Sequence, residues 1–168
     1  METDGGGWTV IQRRVSDSDF YKSWAEYKAG FGDEHNFWLG NENIFAMTGS
    51  EGYRLRVDLT AVGGVTKYAL YQQFAVAWEG DLYRFSVANY SGTAGDSLSY
   101  TNNMAFSAKD RENDMSSGNC AMWRHSAWWY TGCCYADLNG PHVGTREGLF
   151  WIGYLELLTS SEMKIRRG

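Results

Sequence analysis

A chain of 168 residues with 43% hydrophobic side chains is long enough to bury a sizeable core as one domain. Its formal net charge of −5, with the only basic cluster in a short tail at Lys164 to Arg167, argues against a nucleic-acid partner, whose phosphates call for a basic face. No run of about 18 apolar residues occurs, so no membrane-spanning helix is predicted.

After the glycines of METDGGGW, Trp8 to Arg14 is rich in β-branched and aromatic residues and predicts a strand. Ser16-Asp17-Ser18-Asp19 offers N-cap oxygens ahead of FYKSWAEYKAGFG. There Phe20, Trp24, Tyr27 and Phe31 recur at helical spacing and Gly30 suits the C-terminal cap, so one amphipathic helix with a core-facing aromatic stripe is expected. Tyr53 to Leu59 alternates strictly between apolar and charged residues; Val65 to Phe74 and Leu82 to Val87 continue the pattern, and Ser161 to Arg167 resumes it. Together these predict an antiparallel sheet with one wet face. From Asn89 to about Leu149 the periodicity fades, and a loop-rich region of that length needs some other device to hold it.

Asp110 to Cys134, DRENDMSSGNCAMWRHSAWWYTGCC, offers two such devices. Glu112, Asp114, Ser116 and Gly118 lie two apart, so an irregular loop can turn their oxygens toward one hard cation. Calcium suits it, taking about six to eight oxygens from carboxylates, carbonyls and water. A solvated acidic turn is the other reading of the same spacing. Bonding between the adjacent Cys133 and Cys134 is strained, so a disulfide, where one forms, is expected to join Cys120 to one of the two, while a cytosolic setting would leave all three as thiols. Without a CxxC pair or histidine at ligand spacing, zinc is not expected. The disulfide and the glycosylation acceptor Asn89-Tyr90-Ser91 both point to a secreted glycoprotein. An enzyme built on Cys134 with His125 or His142 lacks an activating motif around any of them, so no catalytic residue is assigned.

The motifs GGGWTVIQRR, FYKSWAEYKAGFG, FWLGNENI, LRVDL, AGDSL, DMSSGNCA, AWWYTGC, LNG and SEMKIR occur in that order. Order and wording resemble the fibrinogen C-terminal-like domain, the module of ficolins, tachylectins and other fibrinogen-related proteins, over nearly the whole chain. The resemblance implies an α+β fold over residues 1–168. A central twisted antiparallel sheet with short helices would occupy about residues 1–90, and an irregular subdomain carrying calcium and a ligand pocket about 91–160. The family begins some tens of residues earlier with a segment carrying its own disulfide, so part of a small N-terminal subdomain is expected to be missing here.

By position, the family's calcium loop falls on Glu112, Asp114, Ser116 and Gly118, with Glu where Asp is usual. Its disulfide falls on Cys120 with Cys133, and its cis peptide on Gly132–Cys133. Beside that bond the acetyl-binding members carry a Tyr, a His and a C-terminal Trp; here the positions hold Arg124, Cys134 and Tyr154. Cys133, Arg124 and Cys134, with Trp123, Trp128 and Tyr154 as aromatic walls, are therefore the candidate ligand residues, and Arg124 would favour an anionic group. The resemblance implies a calcium-stabilised, lectin-like module that recognises carbohydrate or acetylated groups on microbial surfaces in innate immunity. It would be secreted, and oligomeric through regions outside this sequence. The alternative is a protein–protein interaction module of the fibrinogen or receptor-ligand type.

Overall fold

The computed structural model describes residues 5–50 and 52–168. In chain order its elements are β1 (Thr9–Arg14), α1 (Trp24–Ala29), β2 (Phe31–Gly32), β3 (Phe37–Trp38), α2 (Asn41–Thr48), β4 (Tyr53–Ala61), β5 (Thr66–Val76), β6 (Phe85–Gly92), α3 (Cys120–Arg124), β7 (Ala136–Asp137), β8 (Phe150–Trp151) and β9 (Leu158–Arg167). The α+β fold is a seven-stranded sheet of order β2-β3-β1-β9-β4-β5-β6 with a few short helices. The last strand is central: β9 enters between β1 and β4, antiparallel to both. Among the described residues no helix is long and apolar enough to cross a membrane.

Alternation along β4 does what it predicts. Leu55, Val57, Leu59 and Ala61 are buried, while Arg56, Asp58 and Thr60 between them stay partly solvated. On that wet face the register sets Asp58 opposite Glu162 and Arg56 opposite Lys164, two like-charge pairs that alone would repel. Opposite-charge contacts reverse the sign: Lys164 reaches Asp58 diagonally at 2.7 Å and Glu162 along its own strand at 3.2 Å, Arg56 reaches Asp58 along β4 at 2.9 Å, and Arg13 of β1 reaches Glu162 directly opposite at 2.8 Å. The C-terminal basic cluster is thus part of a central strand, not a tail, and its Lys164 is buried.

The predicted aromatic helix is shorter than its spacing suggests. Only Trp24 to Ala29 is helical, capped by Ser23 rather than by Ser16 to Asp19. Ser23 and Glu26 form a reciprocal capping box, which satisfies two otherwise orphaned donors, and Asp19 instead closes a turn onto the Tyr21 N–H. Phe20 and Phe31 still meet at 4.8 Å, from extended chain on either side, and Gly30 ends the helix at φ 93° as expected. The strand predicted from Leu82 starts only at Phe85, because Leu82 and Tyr83 take left-handed backbone (φ 58° and 48°) in the turn after β5. Helix α2 is a finding of the structure. Its inward positions include Asn41, which accepts from the Trp38 indole at 3.0 Å, and Thr48, whose hydroxyl donates to the Ile44 carbonyl and accepts from the Val76 N–H.

Aromatic rings weld the sheet to the irregular half of the chain. Trp24 and Tyr27 of α1, Trp38 of β3 and Phe85 lie in contact with Phe106, Trp128 or Trp129, and Tyr83 stacks on Trp24. All eight are buried.

Candidate functional site

Side chains of the first strand hold the site from below. Gln12 donates to the Leu138 carbonyl at 2.8 Å, and the fully buried Arg14 donates to the Gly140 carbonyl at 2.7 Å while its guanidinium covers the Phe20 ring. Above them, Ser107 and Trp128 exchange backbone hydrogen bonds of 3.0 and 3.2 Å, and Asn113 ties back to Phe106 and Ser107. The acidic loop therefore leaves a rigid platform.

Within the loop Asp114 is the organising residue. One of its carboxylate oxygens accepts from the Ser116 N–H at 2.9 Å and the other from the Cys120 N–H at 3.0 Å. The Asn119 side chain caps α3 by accepting from Met122 N–H and anchors to the Lys109 carbonyl. Cys120, the first helical residue, is bonded to Cys133 with Cα atoms 5.5 Å apart, and the Gly132–Cys133 peptide is cis. Met115 N–H donates to Thr131 at 2.9 Å and Thr131 N–H to Cys133 at 2.7 Å, so the acidic loop and the cis turn are bonded to each other.

This donor set fits a hard, oxygen-seeking ion. Both Asp114 oxygens keep a second lone pair, and among the described residues the carbonyls of Ser116 and Gly118 accept no hydrogen bond. Glu112, two residues before Asp114 in the chain, is exposed. No group of three His, Cys, Asp or Glu able to hold a metal is found among the described residues, so an ion here would need backbone carbonyls beside the carboxylates, as calcium accepts. Gly118 lies under the Trp123 indole, and a Cβ there would stand 2.2 Å from the ring.

Arg124 requires a correction. It is not a free anion-binding side chain: Nε faces Asp137 at 3.4 Å, Nη1 and Nη2 donate to the Arg146 carbonyl at 3.3 Å, and Nη2 donates to Gly148 at 2.9 Å. The guanidinium also covers the Phe150 ring at 4.7 Å. Asp137, which sequence reasoning passed over, is fully buried on β7 and accepts from Ser126 at 2.7 Å and Tyr130 at 2.8 Å. Burial raises its carboxyl above the ordinary range, against the pull of Arg124 and of those hydrogen bonds. The charged residue inside the run YADLNG was the available signal.

Two of the proposed aromatic walls are also corrected. Trp128 belongs to the core, and Tyr154 is buried with its hydroxyl on the Val65 carbonyl at 2.8 Å, where it fixes the loop before β9 to the β4–β5 turn. Trp123 does stay exposed, with Met115 and Met122 on the same loop and helix. Tyr100 and Tyr135 form a further exposed pair, stacked at 4.7 Å, that the sequence did not suggest. Cys134 is the free cysteine among the described residues, half-buried, its thiol pushed up to about 12 by burial and by Asp137. His125 turns its ring to Tyr21 and His142 pairs with the Thr159 carbonyl. A protonated thiol is a poor nucleophile. Asn89 is exposed on the edge strand β6.

Comparison with known proteins gives one consistent answer. Residues 1–167 match the family described as fibrinogen beta and gamma chains, C-terminal globular domain. Human fibroleukin is 46% identical over 164 residues, 90% of this chain and 37% of that protein; chicken tenascin-R is 43% identical over 173 residues, 99% of this chain and 13% of that protein. The chain thus spans well under half the length of these relatives. Among solved structures, the fibrinogen-like globe domain of human ANGPTL6 superposes with a TM-score of 0.94 at 39% identity, covering 99% of this chain and 81% of that one. Lamprey fibrin D-dimer, complexed with the peptide Gly-His-Arg-Pro-amide, superposes at 0.89 with 33% identity, covering 96% of this chain and 62% of that one. From its first strand to its last, the chain belongs to the fibrinogen C-terminal globular domain family.

Proposed function

We propose that this domain is a secreted, calcium-stabilised module that recognises a protein partner through the surface around the acidic loop and the cis turn. One observation carries it: the side chains suited to a small polar pocket, Arg124, Trp128 and Tyr154, are engaged internally, while Met115, Met122 and Trp123 are 51 to 74% exposed. Adaptable methionines and aromatics are the residues that protein interfaces favour. The peptide carried by the lamprey fibrin relative supports the same reading. A second reading, stacking of glycan or acetylated microbial ligands, draws on the exposed Tyr100–Tyr135 pair.

Binding to an array of extracellular receptor ectodomains, beside acetylated and plain resin, separates the two. Trp123→Ala with Met115→Ala is expected to weaken ectodomain binding at least about tenfold, the scale of one lost interface anchor, at unchanged Tm. Retention on acetylated resin with release by free N-acetylglucosamine would overturn the protein-partner reading. Calcium would sit among Glu112, Asp114 and the carbonyls of Ser116 and Gly118, pinning the loop rather than meeting the partner. Millimolar calcium is expected to raise Tm, as any ligand bound only by the folded state does. Asp114→Ala should abolish the rise, and a wild-type Tm indifferent to calcium would sink the metal assignment.

A further inference from the structure

The segment from Pro141 to Leu149 is anchored at its C-terminal end by the buried Leu149, and its middle is tied to the domain by one side chain of another element. Residues 143–147 are exposed, and the segment's own bonds are Gly148 N–H to Thr145 at 3.0 Å and Leu149 N–H to Pro141 at 3.1 Å. Near its start His142 meets the Thr159 carbonyl, and in its middle the exposed Arg146 donates to the Leu155 carbonyl. Across its middle lies Arg124, bonded to the carbonyls of both Arg146 and Gly148, covering Phe150, and backed by the buried carboxylate of Asp137. Ile152 N–H binds the Tyr135 carbonyl and β7 pairs with β8, so the segment stands next to the Cys133–Cys134 turn.

We propose that Arg124 is a positioning residue which, with Asp137, forms a clasp holding residues 141–149 beside the cis turn, and that the clasp is released by acid. Its importance for recognition rests on the protein-partner reading above; the clasp itself does not. The groups facing Asp137 are Arg124 of α3, Ser126 and Tyr130 from the chain that follows it, and Cys134 on its own segment. Arg14 of β1 and Tyr27 of α1 also feel its charge. Tyr27, Tyr130 and Cys134 are all raised and stay neutral, and Arg14 at about 10 stays charged, so among these groups Asp137 is the one that acid neutralises.

Linkage fixes the direction. With Asp137 still buried on β7, where burial raises its carboxyl, Arg124 is the contact that favours the ionised form; a proton on Asp137 therefore weakens the clasp, and an open clasp makes Asp137 easier to protonate. The folded-state carboxyl lies above its unfolded value, so between the two the folded chain binds the extra proton. Acid therefore opens the segment without unfolding the domain through this group.

Amide exchange at Gly148 and Leu149, corrected for intrinsic rates, reads the clasp without any ligand, so its failure is distinguishable from failure of the recognition reading. Wild-type protection is expected to fall severalfold from pH 7 to about pH 4, the ordinary carboxyl range above which burial lifts Asp137. In Arg124→Ala it should be low and flat with pH, and Arg124→Lys should restore part of it. Arg124→Met with Asp137→Asn keeps the volume without buried charge and should fold with pH-independent protection. Full protection in Arg124→Ala, or the same pH profile in the double variant as in wild type, would overturn the clasp.

Discussion

Trp129→Ala is expected to cost about 3–5 kcal/mol of unfolding free energy, the usual penalty for emptying a buried tryptophan site. Its indole is 1% exposed and lies 4.9 Å from Phe85, 5.2 Å from Phe106, 5.1 Å from Trp128 and 6.0 Å from Trp38. Those four rings come from the sheet and from the irregular half, so relaxation to fill the cavity would have to move both. The indole N–H also donates to the Tyr83 carbonyl at 2.9 Å, in a turn where Tyr83 is already held at φ 48°. Trp129→Phe keeps most of the ring but orphans that buried carbonyl, and should cost about 1–3 kcal/mol. Urea unfolding measures both. A loss below about 1 kcal/mol for the alanine variant would mean the two halves do not share one core, since deletions of this size rarely cost so little.

The contrast between β4 and α2 shows what kind of information a sequence exposes. In β4 every inward position is apolar and every outward one polar or charged, so period two is visible. In α2 the inward positions are Asn41, Ile44 and Thr48, whose polar groups are satisfied by Trp38, Ile44 and Val76 only after folding. Hydrophobic periodicity cannot register a buried face made of partnered polar groups. For α1 the difficulty was competition: two sets of capping residues preceded the aromatic stripe, and Ser23 won because Glu26 stands three residues on to reciprocate.

The site divides along the same line. The spacing of Glu112, Asp114, Ser116 and Gly118, the Cys120–Cys133 bridge and the cis bond lie within one continuous stretch, where the family resemblance applies residue by residue. Arg124 looked available because its partners are distant in sequence: Asp137 on β7 and the carbonyls of Arg146 and Gly148. Trp128 and Trp129 are adjacent and identical as letters, and both face inward, while Trp123 faces out.

Removing the bridge with Cys120→Ala and Cys133→Ala is expected to cost about 3 kcal/mol, the chain-entropy value for a loop of this size. The loop it closes, 13 residues apart in sequence, contains α3, both buried tryptophans and Tyr130. A helix of five residues cannot persist on its own hydrogen bonds, so α3 depends on the Asn119 cap, the Asp114 contact to Cys120 N–H and the bridge. Without the bridge, Asp114 should loosen with the helix, and the calcium-induced rise in Tm should shrink along with the stability. Trp129→Ala perturbs the core beneath the loop but leaves Asp114 bonded at both oxygens, so most of the calcium response should survive there. Thermal unfolding of both variants with and without calcium distinguishes a loop tied to the bridge from one tied to the core. If the bridge-free protein keeps the full response while the Trp129 variant loses it, the acidic loop is held by the aromatic platform and the disulfide is incidental to it.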